Sequence, residues 1–571
     1  MVSKSVSPAV RSVLGAAALL LACSRSDPPG AGPAASQGAI QAGSPTLPKE
    51  LTKKGGPAAS SAAPAAPAPQ EEDKGPWFAV TSGAAGVYSE AEFEKSTKLG
   101  YLRHGERASV EPEPVSKKNC AGGWYKVRSG GYVCGNLGTT NLEDPEVKFA
   151  TTAPKLEDVL PYLYVRNAKN GTPLYKSVPS REQMLRYEPY LETKKKDEEQ
   201  AKAKSDDVET AVPVTAANGA AVAAAAAREV RPVSIGADAG APLDPGMVDA
   251  GIGAEPDTGG DPSKPWWQQE NIKDRLHEVT LSQLEEDSDD ILAKRMVTGF
   301  YVAVDRTFRW NGRLWYKTTR GLVTPSERFW QAAGSKFKGV ELDGQKLKLP
   351  MGWVYGGRKN TSSYKLEGDD LKPATTIERF NAVQLTGMFQ KIRGTDYAET
   401  ADGTWIKRSH LRITDPGPMP ADLKPNERWV DVDLETQTLV AFEGTRPVYA
   451  TLISSGKKSE DKDKDHRTPT GEWRIREKHV TTTMDGDGSA AGDLPYSIED
   501  VPYVLYFHKS YALHGAFWHE NYGVQMSHGC VNLAPLDAKH VFFFTDPPLP
   551  KGFHGAWATP ERPGSRVVVH D

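Results

Sequence analysis

Apolar and polar residues alternate with a period of two along much of this chain, and helical spacing is rare. Trp429-Val-Asp-Val-Asp-Leu and Gln437-Thr-Leu-Val-Ala-Phe both alternate, and Arg446-Pro-Val-Tyr-Ala-Thr-Leu-Ile follows. Successive side chains of an extended chain point to opposite faces, so this pattern predicts strands of an antiparallel sheet. Tyr503-Val-Leu-Tyr-Phe predicts another strand, and Leu536 to Phe544, after Pro535, has helical spacing. Further upstream, residues 76–141 carry short β-rich runs broken at Gly86, Gly100, Gly122-Gly123 and Gly130-Gly131. Leu160-Pro-Tyr-Leu-Tyr-Val-Arg and Pro173-Leu-Tyr-Lys-Ser-Val predict a β-hairpin extension over 145–190, ending in a charged helical run. The β pattern returns over 297–414, where Asn311-Gly312 is a two-residue hairpin signal. A faint echo links Gly123-Trp-Tyr-Lys, Arg313-Leu-Trp-Tyr-Lys and Gly403-Thr-Trp-Ile-Lys, each read as an aromatic-centred strand followed by a turn and another strand. The fold class is mainly β, in several modules, with the aromatics serving as core.

Two stretches lack such patterning. Residues 24–74 are Ala, Pro, Gly and Ser with few charges, and 192–265 pass from Lys/Glu through an alanine run to Gly/Asp/Pro. Neither can bury enough apolar surface to offset the entropy of ordering, so they read as a disordered tether and a linker. At 571 residues the chain is long enough for several domains. Its net charge of −4, with no dense basic block, argues against a nucleic-acid partner.

The first residues combine Lys4 and Arg11 with the apolar run from Val13 to Ala22, too short to span a bilayer and matched to an export signal over 1–22. Leu20-Leu21-Ala22-Cys23 resembles a bacterial lipobox. The resemblance implies cleavage before Cys23, acylation of its thiol and anchorage to the periplasmic face of a membrane; Ser24 points to the outer one. Cys120 and Cys134 flank an apparent strand-turn-strand and are candidates for a disulfide in an oxidising compartment. The segment Gly123-Trp-Tyr-Lys-Val-Arg followed by Gly131-Tyr-Val-Cys-Gly-Asn-Leu137 resembles the end of a bacterial Src-homology-3-type barrel, implying small barrel modules.

The densest chemistry lies in His514-Gly-Ala-Phe-Trp518-His519 and Ser527-His528-Gly529-Cys530-Val-Asn532. A thiol is mostly protonated at neutral pH, so a nucleophilic cysteine needs an imidazole to take its proton or hold its anion. His514 lies sixteen positions upstream of Cys530, and His528 two positions before it, on the same face if the segment is extended. On spacing alone either can be the base. His514, His519, His528 and Cys530 also have the ligand chemistry for zinc, yet neither Cys-x-x-Cys nor His-Glu-x-x-His spacing occurs, so no metal and no cofactor is expected.

Residue for residue this stretch resembles the L,D-transpeptidases, cysteine enzymes that cross-link bacterial peptidoglycan, whose motif is His-Gly followed at a distance by Ser-His-Gly-Cys-x-Asn or Arg. The likeness extends through Arg428 to Val440, Ser454-Ser455-Gly456, Thr468-Pro469-Thr470-Gly471 and Ser565-Arg-Val-Val-Val, defining a catalytic domain over 428–570 with a β-sandwich or barrel fold. It implies Cys530 as nucleophile and His514 as base, peptidoglycan stem peptides as partners, and release of terminal D-alanine. Gly529 and nearby backbone N–H groups are candidates for the oxyanion site. Ser527 and His528 are candidates for orienting the site, and Asn532, Trp518 and His519 for contacting substrate. A carboxypeptidase, an enzyme attaching proteins to the wall, or a lipid-anchored scaffold with a silent catalytic domain are the competing readings. Oligomeric state is not fixed by the sequence.

Overall fold

In a computed structural model the chain is described over residues 75–192, 265–269, 275–285, 288–356, 360–486 and 495–571. The expected signal, Cys23 and the 24–74 tether lie outside these residues, as does nearly all of the 192–265 linker.

The alternating segments from Arg428 onward build two facing sheets. In one, the strand Arg446–Leu452 pairs with Thr438–Glu443, which pairs with Arg428–Asp433. The strand Arg566–His570 then lies parallel to Arg428–Asp433 and antiparallel to Gly471–Arg474. The other sheet is organised on the long strand Tyr496–His508, bordered by Glu477–Gly486 and Tyr511–Gly515. Val430, Leu439 and Val567 from one sheet meet Val480, Leu505 and Leu513 from the other, all fully buried. The helix Pro535–Phe544 closes this core. Proline suits its first turn, where an N–H has no intrahelical partner. Its C-terminal end is met by the buried ammonium of Lys478, which donates to Phe542 O and to Thr545 O, the latter at 2.8 Å.

A first barrel uses six short strands from Trp77–Val80 to Tyr132–Cys134 around Phe78, Val87, Leu102 and Val133. Cys120 and Cys134 form a disulfide, with Cα atoms 5.9 Å apart. The strand Lys98–Arg103 pairs with Gly555–Trp557, in register Gly100↔Ala556 and Tyr101↔Gly555. A Cβ on Gly100 would stand 2.3 Å from Gly555 O, so this close approach requires glycine. The barrel's sheet and the catalytic sheet are thereby continuous.

The second barrel corrects the expected hairpin extension. Leu163–Asn167 and Thr172–Tyr175 take different partners instead of forming a hairpin: the first pairs with Tyr301–Trp310 and Phe329–Ala332, the second with Leu292–Met296 and Val323–Pro325. Strands on both sides of the linker thus share one core, with Val165 and Leu174 packed among Met296, Val302 and Phe329. Asn311 and Gly312, at φ of 47° and 72°, make the tight turn between Tyr301–Trp310 and Arg313–Thr318.

The third barrel runs from Met351–Val354 to Leu411–Thr414. Here the aromatic echo is out by one strand. Trp124 and Trp315 sit on strands that pair with the next strand, after which comes a single 3-10 turn. Trp405 lies on the strand that leads straight into the 3-10 turn Arg408–His410. The position matching Trp124 and Trp315 is Tyr397, on Thr395–Thr400. Both Trp405 and Tyr397 are buried, which is why the aromatic pattern repeats while the register does not.

Candidate active site

Tyr511–Gly515 and Val531–Leu533 run parallel in register Leu513↔Val531 and His514↔Asn532. Leu513 and Val531 point into the sandwich core, so their neighbours His514 and Asn532 face the opposite way. Cys530 precedes that strand by one residue. Its sulfur receives the Ala512 N–H, and its thiol lies 3.7 Å from Ser510 O. Cys530 packs with Ala512 and Trp518, and Trp518 stacks on His514, so the thiol and the imidazole border one cluster.

His514 is buried, with Nδ1 3.4 Å from the Gly515 carbonyl. That contact favours a proton on Nδ1 and leaves Nε2 as the basic nitrogen. The Trp518 ring stacks on the imidazole, centroids 5.7 Å apart. Burial pulls His514 down to about 4 and pushes the Cys530 thiol up to about 11, the Ala512 N–H drawing the thiol partly back. Both are neutral at pH 7, so the pair is thiol and imidazole, not thiolate and imidazolium. Tyr496 and Tyr506 lie near the sulfur, and burial together with the Cys530 charge raises both phenols.

The extended geometry that would have put His528 on the cysteine's face is absent. Residues 528–530 bend, and Gly529 takes φ of 122°, where a Cβ would stand 2.5 Å from the Tyr511 ring. His528 is exposed and stacks against Tyr496 at 5.5 Å, with His466 at 4.8 Å. Ser527 shapes this bend: its hydroxyl donates to Cys530 O and accepts the Gly529 N–H at 3.1 Å. The Gly529 N–H is thus engaged within the turn instead of facing an incoming carbonyl.

Asn532 Nδ2 and His519 Nε2 are 3.0 Å apart, and Asn521 N–H donates to His519 Nδ1 at 3.2 Å. The Asn532 side-chain oxygen is buried without a hydrogen-bond partner. Burial, helped by nearby His514, holds His519 down at about 4. A neutral imidazole has one N–H. With Nδ1 accepting, Nε2 carries the proton and needs an acceptor, so the Asn532 amide is better oriented with its oxygen toward His519 and its NH2 in the unpartnered position.

Spacing gave no indication of the scaffold behind the turn. Ser454 exchanges two backbone hydrogen bonds with Asn532, both 2.9 Å. Thr468 Oγ1 donates to Gly529 O at 2.8 Å and accepts the Gly456 N–H at 3.0 Å. These are the Ser454-Ser455-Gly456 and Thr468-Pro469-Thr470 segments that the family likeness includes.

Residues 427–569 match the YkuD family model, the L,D-transpeptidase catalytic domain. That segment is an L,D-transpeptidase catalytic domain, and the three barrels precede it. The catalytic domain of the E. faecium L,D-transpeptidase is 24% identical over 25% of this chain and 98% of its own, with a TM-score of 0.19. An L,D-transpeptidase from Stackebrandtia nassauensis is 24% identical over 26% of this chain and 58% of its own, at 0.19. L,D-transpeptidase 3 from Mycobacterium tuberculosis is 13% identical over 37% and 81%, at 0.20. No curated protein matches the sequence.

Proposed function

We propose that the protein is a peptidoglycan L,D-transpeptidase working through a Cys530 thioester. The observation that carries this reading is that His514 lies on one of two adjacent parallel strands and Cys530 directly precedes the other, within the matched domain. His514 Nε2 takes the thiol proton as the sulfur attacks the carbonyl of the third residue of a stem peptide. The imidazolium returns that proton to the leaving amine, D-alanine departs, and the thioester remains. The side-chain amine of a second stem then attacks, losing a proton to His514, and a 3-3 cross-link forms as the thiol is regenerated. Water in place of the amine would give a carboxypeptidase, since the acceptor depends on the pocket and not on the motif. Asn532 and Trp518 border the acyl group, and Gly529 acts through the bend it permits. The same proposal makes the chain an exported lipoprotein, anchored through Cys23 and facing the wall layer.

Mass spectrometry after incubation with disaccharide-tetrapeptide tests the reaction. Loss of D-alanine with a 3-3 dimer is expected from the native protein and from neither Cys530→Ala nor His514→Ala. D-alanine loss without dimer would establish the carboxypeptidase instead. Absence of turnover and of any Cys530 adduct would leave the scaffold reading.

A further inference from the structure

The loop from Ala516 to Ser527 joins base to nucleophile and carries Trp518 and His519. Its ends are fixed within the catalytic domain, by Ala516 N–H to Leu533 O at 2.9 Å and Gly523 N–H to Ile453 O at 2.7 Å. Between those anchors it is gripped from outside. On one side Arg412 Nε donates to Gly523 O at 2.8 Å, and Arg379 Nη2 to Glu520 O at 3.2 Å. The two guanidiniums flank the Tyr355 ring, at 5.3 Å for Arg379 and 4.6 Å for Arg412. Gly523, at φ of 89°, lies so close to that ring that a Cβ would stand 3.0 Å from it. Tyr522 is driven into the core beside Phe337 and Trp353, and its hydroxyl donates to Ala516 O at 2.8 Å and to His519 O at 3.2 Å. Across the loop, the second barrel supplies Tyr164 and Tyr301, whose rings meet Phe517 at 4.1 Å and 5.4 Å. Tyr301 also approaches Trp518, at 6.5 Å.

We infer that the second and third barrels are parts of the catalytic unit, with Arg412, Arg379 and Tyr301 acting as positioning residues that hold Trp518 against His514 and His519 against Asn532. This rests on the transpeptidase reading above. All three positions lie outside the residues matched by the family model, so membership of the family does not assign them. The physical basis is preorganisation: a loop carrying two active-site rings would otherwise lose its freedom at each substrate encounter, and a shift of about 1 Å in a reacting group can cost a factor of 100. Two arginines aimed at backbone carbonyls fix main-chain position, which suits a loop whose side chains are occupied with the site.

The test uses the purified full chain and a carbapenem as acylating probe, following the Cys530 adduct by mass spectrometry as a function of pH. Arg412→Ala and Tyr301→Ala are expected to slow acylation on the order of 10-fold. They should also move the acidic limb of the profile to higher pH, because a loosened Trp518 lets water reach His514 and relieves the burial that depresses it. Arg412→Lys, which keeps a donor, should recover part of the rate. Should Arg412→Ala fail to fold, Arg379→Ala, whose bond is exposed, carries the same expectation. Native rates and an unmoved limb in the variants would overturn the inference, as would slowing with no movement of the limb, the mark of general destabilisation. A native protein that forms no adduct would instead overturn the transpeptidase reading, and this inference with it.

Discussion

Asn532 lies directly across the parallel ribbon from His514, which sets Cys530, two residues earlier, diagonal to the imidazole. The sulfur and ring are neutral at rest because burial moves both groups away from their charged forms. Under the proposed mechanism, proton transfer then accompanies attack. Alkylation of Cys530 by iodoacetamide should accelerate steadily with pH through neutrality towards about 11. A plateau reached near pH 6 would mean a preformed thiolate, as in strongly activated cysteines.

Lys478 is a cation held in the core at the end of a helix. Burial lowers it to about 7, whereas an unfolded lysine titrates near about 10.4. Between those values the unfolded chain binds more protons, so stability should rise with pH across the window and level off above it. Lys478→Met leaves Phe542 O and Thr545 O without this donor and should cost roughly 1–3 kcal/mol at pH 9. Urea midpoints of both proteins at pH 7 and pH 9.5 measure the effect, and the variant should lack the native rise.

Glu499 is buried beside Asp500, and burial with that neighbouring charge raises it to about 7. Its raised pKa means that the folded state holds the proton more tightly. The group costs no stability below the unfolded pKa of about 4.3 and a growing amount as pH climbs through 7. Glu499→Gln should therefore be more stable than the native protein at pH 8 and indistinguishable from it at pH 4. Thermal midpoints at the two values check this, and an equal shift at both would refute it.

The His514 and Cys530 motif was legible in the sequence because both residues belong to one short segment whose ends become adjacent strands. The strands at Trp429 and Thr438 were legible as strands, but the single buried face that alternation predicts is absent, because both are buried on both faces almost throughout. What escaped was set by distant partners. Leu163 and Pro173 look like a hairpin locally, yet their strands pair with residues more than a hundred positions away. His528 was placed by assuming an extended chain, and the positive φ of Gly529 turns it aside. Arg379 and Arg412 carried no sequence signal, because a guanidinium bound to a backbone carbonyl leaves no motif in the segment it holds.

The disulfide closes a separation of 14 residues in the first barrel. For a loop of that size the chain-entropy account gives about 3 kcal/mol. Paired substitution of Cys120 and Cys134 by alanine should lower the barrel's unfolding midpoint, with carbapenem acylation at 25 °C little changed. Hydrogen exchange over residues 77–134 would locate the loss. Protection lost equally at Leu505 and Leu513 would mean that the barrel and the catalytic sheet unfold as one unit.

The strand Arg566–His570 sits inside its sheet, between Arg428–Asp433 and Gly471–Arg474, so each of those strands keeps an open edge until it arrives. Synthesis delivers this strand after Cys530 and His514, so the segment that completes the sandwich reaches the fold behind both the thiol and the imidazole.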